Sequence, residues 1–447
     1  MLERQHTDGV AAMEFPLYQY ILSLGYDAVG FHEGLGKALS LLCSLATIAL
    51  YHRFVRRLLG RRIGDLAALT LTFSTLFFTY AAKVMPETMA LALCMGALTL
   101  TIEALFDDVL RPRVPNHFLL AATTILFALA ILIKMNMIIA ALFIAYLAHR
   151  RFGWSFLLRP DFILMAGASL VPFFWWYYWY APAMENCNAL NVFFLGYSMA
   201  ETVPMLFDGR IDWIKVFCKV LPQDYLGWGL SAAVLYGGWR AVQAGRLSPL
   251  PCPVIASLAV TAVYFALILL KSGDKFVEGH SYYLYGSLPF VPMVVAFMLD
   301  AGLRNISRRM GIVLVVIVFL ALAGRVGHYY KRDPVPDRLI AMRPLIDAVV
   351  PPGARIGVNV PVNPMNLYFF RRTGWLLSNG QLTDREYMER LRERGLRYLV
   401  LVAPKGVRYE ELSAALLPEL VWLYPEQELT IMALPPPLAE KARDPVP

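Results

Sequence analysis

The chain has 447 residues, of which 58% are hydrophobic, 13% aromatic and 17% charged, and its formal net charge is +8. A soluble chain carries about 45–50% apolar and about 25% charged residues, so the apolar excess indicates burial in a lipid bilayer. The composition excludes intrinsic disorder, collagen and a disulfide-rich scaffold. It does not indicate nucleic acid as a partner, because within the first 330 residues most arginines lie in short loops between apolar runs, as membrane topology requires.

Apolar runs that are long enough, or nearly long enough, to cross a bilayer follow one another along the first 330 residues. They lie at 35–58, 64–82, 86–106, 117–133, 135–149, 161–180, 225–243, 253–270, 284–303 and 310–328. The two runs that flank Lys134 are short and fit either two spans or one span with a re-entrant piece. The sequence therefore predicts an all-α polytopic membrane protein with about 10 transmembrane helices.

The distribution of arginine predicts the orientation of these helices. Every loop that follows an odd-numbered run is basic, and basic loops stay on the cytoplasmic side. The N-terminus, the long loop at 181–224 and everything after residue 330 are therefore predicted to lie outside the cytoplasm. The agreement among the loops also favours two spans around Lys134. Cys187 and Cys218 share the long loop and would pair only if it faces an oxidising compartment.

Residues 331–437 differ in composition from the membrane part, 1–330. ARIGVNV and LRYLVLVA predict strands, and the segment at 383–394 predicts a helix with Thr383 as N-cap and Gly395 at its end. We expect a small extracytoplasmic α/β domain, followed by a disordered tail at 438–447.

Ionisable residues at the outer ends of spans are candidate site residues, because they are costly in a membrane unless they are used. Glu14 begins an interfacial helix at 13–31, which could equally be a simple amphipathic anchor. In KVMPET, Lys83 suits a phosphate, and Glu87 lies in the first turn of a helix begun by Pro86. That loop could also be no more than a charged turn with a helix cap.

A third candidate cluster leads into the run at 284–303. Lys271, Lys275 and His280 could bind an anionic head group, beside an aromatic belt that includes Tyr283. The sequence has no phosphate loop, dinucleotide fingerprint, HExxH pair or GxSxG elbow. We therefore expect the energy for any reaction to come with the substrate.

Four segments, EFPLYQYIL, RLLGRRIGDLAALTLTFSTLFFTYAAKVMPETMALAL, LAILIKMN and GHSYYLYGSLPFVPM, occur in an order and spacing that are similar to a known family. They resemble the bacterial glycosyltransferase family 39 type of GT-C membrane enzymes, the group of the protein O-mannosyltransferases and the lipid A aminoarabinose transferase. The resemblance covers roughly residues 10–330.

This resemblance implies transfer of a sugar from a polyprenyl-phosphate donor to a glycan, lipid or protein acceptor at the outer face of the bacterial cytoplasmic membrane. An acidic residue of the first outer loop would act as general base. By position, Lys83, Lys275, His280 and Tyr283 would bind the donor phosphate, and Glu87 would be the acidic loop residue or a ligand for a divalent cation. No other cofactor is implied.

The chain departs from the family pattern at its N-terminus. Members begin with a span and an acidic motif of the RQTDT form, whereas here RQHTD stands only six residues before Glu14. We expect a missing leading span, and Asp8 or Glu14 as the base. Alternatives are a transporter or flippase of a lipid-linked saccharide, a truncated inactive homologue, and a scaffold for envelope partners.

Overall fold

The structure is a computed structural model of the 447-residue chain. It describes residues 14–30, 32–106, 116–185, 198–208, 251–272, 281–304, 334–359, 365–402 and 418–435, with isolated residues between 231 and 324. Contacts within the chain divide it into two compact units, one centred on Ala11–Cys187 and Asn191–Tyr330 and the other on Lys331–Pro447.

The first unit is helical throughout its described residues. Its α-helices are α1 (Leu17–Val29), α2 (Glu33–Leu59), α3 (Arg61–Phe73), α4 (Thr75–Tyr80), α5 (Glu87–Phe106), α6 (His117–Ile133), α7 (Ala140–Phe152), α8 (Pro160–Phe174), α9 (Ala181–Glu185), α10 (Met199–Phe207), α11 (Cys252–Ser272) and α12 (Val291–Leu303). Tighter 3₁₀ turns cover Met135–Ile139, Gly153–Leu158 and Ser281–Ser287.

Side-chain caps fix where several of these helices begin. The His32 ring accepts the Gly34 N–H at 3.0 Å at the start of α2, and Asn116 accepts the Phe118 N–H at 3.1 Å at the start of α6. Ser74 accepts the Phe77 N–H at 3.3 Å, so the run predicted at 64–82 is divided into α3 and α4. Each cap satisfies an N–H group that the first helical turn leaves without an intrahelical partner.

Four helices in the described part of the chain are long and apolar enough to cross a membrane: Gly34–Leu59, Glu87–Phe106, Pro160–Ala183 and Cys252–Lys271. His117–Ile133 and Val291–Leu303 are shorter apolar helices. Most of the predicted runs at 225–243 and 310–328 lie outside the described residues, as do Cys187 and Cys218. The number of about ten spans therefore stays a prediction.

The third of these long helices changes its winding before it ends. After α8 the backbone continues as a π-helix over Trp175–Tyr180. Trp176 and Tyr177 point into the protein, with 6% and 2% of their surfaces exposed, whereas Trp175, Tyr178 and Trp179 are exposed. A π segment is a rare local widening of an α-helix, and here it brings two consecutive aromatic side chains inward.

The second unit is an α/β structure. Its elements are α13 (Pro334–Val349), β1 (Arg355–Val358), α14 (Met365–Phe370), β2 (Gly374–Leu376), α15 (Asn379–Thr383), α16 (Arg385–Glu393), β3 (Leu396–Val402), β4 (Leu420–Tyr424) and β5 (Leu429–Ala433). The strand order is β2-β1-β3-β5-β4, in which β2, β1 and β3 are parallel and β5 and β4 are antiparallel to their neighbours. The two strands predicted from the sequence are β1 and β3.

Alternating residues of this sheet enter two separate apolar clusters. Leu399 and Leu401 pack with α15 and α16 on one face, whereas Val400 packs with α13 on the other. Gly374 permits the close pairing of β2 with β1, because a Cβ there would lie 1.7 Å from the Ile356 carbonyl oxygen.

The prediction that Thr383 caps the helix at 383–394 is wrong. Thr383 ends α15, and Asp384 is the N-cap of α16, where its carboxylate accepts the Tyr387 N–H at 3.0 Å. Both residue types cap helices, and the preceding turn decides between them. Gly395 does follow the end of the helix, with a φ of +97° that favours glycine.

Candidate functional site

The site is built around a break between α6 and α7. Helix α6 ends at Ile133, Lys134 has an extended backbone, and a 3₁₀ turn leads into α7. The break frees the Leu132 carbonyl, which accepts the Phe15 N–H at 3.2 Å and the Tyr177 hydroxyl at 2.8 Å. The segment before α1 and the π segment are therefore both attached to the same helix end.

Lys134 binds two carboxylates from distant parts of the chain. Its ammonium donates to Glu87 Oε1 at 2.7 Å and to Glu14 Oε1. Lys134 is 9% exposed and Glu87 1% exposed, so these charges are removed from water. Buried charges are tolerated only when they are paired, and this ion-paired triad unites the N-terminal segment, the α6–α7 break and the start of α5.

The triad holds two acidic side chains and one ammonium, so a single cation serves two acids. Glu87 lies in the first turn of α5, where the helix dipole favours a negative charge. Its second oxygen, Oε2, is buried and accepts no hydrogen bond from the described residues. That oxygen is available as an acceptor inside the site.

Tyrosine rings connect the triad to Lys83. Lys134 Nζ lies 5.3 Å from the Tyr282 ring centroid, and Lys83 Nζ lies 4.6 Å from that of Tyr80. The Tyr80 and Tyr282 rings meet edge to face with centroids 6.3 Å apart, and Tyr80 also meets Tyr285 at 5.9 Å. Lys83 is exposed, whereas Lys134 is buried, so only Lys83 can reach a ligand at the protein surface.

Partial burial lowers the pKa of Lys83 below its ordinary value. Loss of solvation penalises an ammonium group, and the described residues offer no carboxylate pair to Lys83 that would compensate. An exposed ammonium that lacks a carboxylate partner among the described residues is suited to an anionic ligand such as a phosphate.

The structure brings some of the predicted site residues together. Glu14 and Glu87 meet at Lys134, and Lys83 joins them through the tyrosine rings. Tyr283 lies in the 3₁₀ turn Ser281–Ser287, where its ring contacts Tyr282 with centroids 4.6 Å apart. The Tyr283 carbonyl accepts from the Tyr264 hydroxyl and from Asn136 Nδ2, the latter at 3.5 Å.

Asp8, Lys275 and His280 lie outside the described residues. Among the residues that are described, no group of three or more His, Cys, Asp or Glu side chains could hold a metal ion. The divalent cation considered for Glu87 therefore stays a prediction.

Sequence reasoning missed the central role of Lys134, which it treated only as an interruption of an apolar stretch. The signal was present, because a lysine inside ILIKMNM is costly in a membrane unless it is paired and used. The two partners, 120 and 47 residues away along the chain, have no local signature.

Comparisons with known proteins agree with this architecture. Residues 13–179 match the family model of dolichyl-phosphate-mannose-protein mannosyltransferases. No curated protein sequence matches.

Among solved structures, ArnT from Cupriavidus metallidurans bound to undecaprenyl phosphate matches with a TM-score of 0.56 at 14% identity, over 97% of this chain and 95% of that one. Apo ArnT from the same organism gives a TM-score of 0.55 at 14% identity, over 97% and 94%. The oligosaccharyltransferase of Archaeoglobus fulgidus in complex with Zn and sulfate gives 0.46 at 12% identity, over 87% and 59%.

The matched residues 13–179 include Glu14, Lys83, Glu87 and Lys134. The likeness to ArnT extends over nearly the whole of both chains and includes the second unit. The apolar helices and this fold identify the chain as a multi-pass membrane protein that shares the fold of ArnT, and its residues 13–179 are similar to the mannosyltransferase family.

Proposed function

We propose that the protein transfers a sugar from a polyprenyl-phosphate-linked donor to an acceptor at the outer face of the membrane. The observation that carries the proposal is the buried Glu14–Lys134–Glu87 triad beside the exposed Lys83. Ionisable residues enclosed among apolar helices indicate a functional site, because apolar side chains at the same positions would stabilise the fold at least as well. The fold shared with ArnT, which binds undecaprenyl phosphate, supports a lipid phosphate as the donor's leaving group.

In the proposed reaction, the acceptor hydroxyl attacks the anomeric carbon while the bond from that carbon to the phosphate oxygen breaks. The polyprenyl phosphate leaves with the bonding electron pair, and the hydroxyl proton passes to a carboxylate base. Lys83 stabilises the charge that develops on the phosphate, and Lys275, His280 and Tyr283 are proposed to contribute to the same subsite.

Asp8 and Glu14 are both proposed as the base. One oxygen of Glu14 binds Lys134, but the Glu14 side chain keeps 28% of its surface exposed, so its second oxygen can still meet a hydroxyl. Lys134 acts as a positioning residue in this scheme, because it holds Glu14 next to Glu87 without itself reaching the surface.

The test is turnover by purified protein in nanodiscs, with undecaprenyl-phosphate-linked mannose and related donors, measured as release of undecaprenyl phosphate. We expect Lys83→Ala to reduce donor turnover by about 100-fold, with Arg385→Ala in the second unit as an exposed control. Parental activity in Lys83→Ala would contradict the phosphate assignment.

Movement of a fluorescent lipid-linked saccharide across vesicles, without release of the sugar, would instead identify a flippase. Glu14→Gln and Asp8→Asn, compared in the same assay, distinguish the two proposed bases. If neither variant loses activity, the base lies elsewhere.

A further inference from the structure

A tight elbow joins α2 to α3 at the end of α2 that is remote from the candidate site. The first half of α2 contacts the segments that carry the candidate site. Ser40 Oγ lies 2.8 Å from the Tyr18 hydroxyl of α1, and Ser44 donates to the carbonyl of Ala81, two residues before Lys83, at 2.9 Å. With 27 residues, α2 is about 40 Å long, which exceeds the hydrocarbon thickness of a bilayer. The elbow therefore lies at the opposite membrane face.

Two glycines fix the shape of this elbow. Gly60 has a φ of +87°, and its N–H donates to the Arg56 carbonyl at 3.0 Å, which ends α2. A Cβ at Gly64 would lie 3.0 Å from Arg56 Cα, so glycine allows α3 to fold back closely along α2. The turn brings the arginines at the end of α2 close to those at the start of α3.

The elbow has more positive than negative charge. Arg53, Arg56, Arg57, Arg61 and Arg62 all lie within its ten central residues and are exposed. Arg53 pairs with Glu103 at 2.5 Å, and Arg62 pairs with Asp300. Asp300 is 2% exposed and also binds Arg304 at 2.7 Å, so it holds α3 and α12 together.

A third acid near the elbow, Asp65, is also paired. Asp65 binds His52 at 2.7 Å and lies 3.9 Å from Arg61. Arg56 and Arg57 have no carboxylate partner in the part of the chain that the structure describes. Both arginines lie in the last turn of α2 and are exposed, so no ion pair with the described residues prevents them from binding an anion from outside the protein.

We propose that this elbow binds the head group of an anionic phospholipid, with Arg56 and Arg57 on its phosphate. A guanidinium group matches phosphate oxygens with two parallel hydrogen bonds, and basic residues next to a membrane surface attract anionic lipids. A lipid fits better than a soluble phosphate because Arg56 and Arg57 lie at the end of a helix, Gly34–Leu59, that is apolar enough to cross a membrane. The helix that follows, α3, also has an apolar exposed face with Leu69, which is 39% exposed. The acyl chains would follow that face.

The test uses the full-length protein purified from vesicles of phosphatidylcholine with phosphatidylglycerol, and native mass spectrometry measures the lipids that remain bound. Arg56→Gln with Arg57→Gln should reduce retained phosphatidylglycerol by about tenfold. Arg150→Gln with Arg151→Gln, which removes two charges from the last turn of α7, is the matched control and should change it little.

Arg56→Lys with Arg57→Lys keeps the charge but loses the bidentate hydrogen bonding of guanidinium. Retained phosphatidylglycerol should therefore lie between that of the parental protein and that of the glutamine variant. Equal loss in the elbow and control variants would overturn the proposal, as would equal retention of the two lipids by the parental protein. Displacement of the bound lipid by millimolar inorganic phosphate would show that the site takes free phosphate and would also overturn it. Gel filtration of every variant serves as the check that it is folded.

Discussion

Lys134 is the residue on which the candidate site depends. It is enclosed at a helix break, where its ammonium neutralises part of the charge of Glu14 and Glu87. A lone carboxylate pair at this depth would repel itself, and the fold would have to expel one member or protonate it. The lysine thus makes the coexistence of two acids possible.

Lys134→Met should destabilise the protein by about 3–5 kcal/mol, because it leaves the buried Glu87 and the partly exposed Glu14 without a cation. Thermal unfolding in detergent measures the loss. Adding Glu87→Gln removes one of the two stranded charges and should restore part of the stability. Lys83→Met, at an exposed lysine, is the control and should change the melting temperature little; equal effects of the two lysine variants would contradict the role of the triad.

Lys83 should make donor binding sensitive to alkaline pH. Its pKa is lowered by partial burial, so its positive charge, present at lower pH, is lost as the pH rises through that lowered pKa. Binding of undecaprenyl phosphate to the parental protein should therefore weaken on the alkaline side. Lys83→Arg keeps its charge throughout and should bind with a flat profile. Identical profiles would show that Lys83 does not contact the phosphate.

At the scale of single elements, the α6–α7 break is held open by groups that replace its lost helical hydrogen bonds. The Leu132 carbonyl has two donors, one from the chain before α1 and one from the π segment. Without them, a buried carbonyl would lack a partner at considerable cost. The break is therefore a stable feature that three parts of the chain share.

Tyr177→Phe removes one of these donors while it keeps the ring in place. We expect a loss of about 1 kcal/mol in the free energy of unfolding and a lower rate of the proposed sugar transfer, since Lys134 lies in the break itself. Tyr178→Phe alters an exposed neighbour and is the control. A parental melting temperature in Tyr177→Phe would mean that the Phe15 N–H suffices.

Sequence patterns predict elements whose causes are local. The apolar runs within the described residues form helices, and the β-rich runs ARIGVNV and LRYLVLVA contain the strands β1 and β3, because composition and hydrophobicity act within each segment. Thr383 was misassigned because Asp384, the next residue, caps equally well. The site was predictable only as separate residues, since the ion pairs at Lys134 depend on tertiary packing that no spacing reveals.

At the scale of the whole molecule, the two units are built by different rules. The membrane unit encloses a helix-capping serine and ion pairs among apolar helices. The second unit instead has an apolar cluster on each face of its sheet. A sheet covered on both faces has the means to fold by itself.

Residues 331–447 expressed alone should therefore give a soluble, cooperatively melting α/β domain, as measured by circular dichroism. Gly374→Ala should abolish this transition, because the added Cβ would overlap the Ile356 carbonyl oxygen. Gly380→Ala, at a glycine with open space around it, is the matched control. A fragment that remains unfolded would mean that the sheet needs the membrane unit.

The π segment at Trp175–Tyr180 gives the chain an unusual tolerance to change in length. Deleting one residue there would let the backbone return to an ordinary α-helix with its hydrogen bonds intact, so the span would remain as apolar and as continuous as before. Because a π turn accommodates one extra residue in about one turn, the residues beyond the deletion would keep nearly their present orientation relative to those before it. An evolving gene could thus remove or restore one of the aromatic groups that support the helix break by losing or gaining a single codon, without turning the rest of the membrane span.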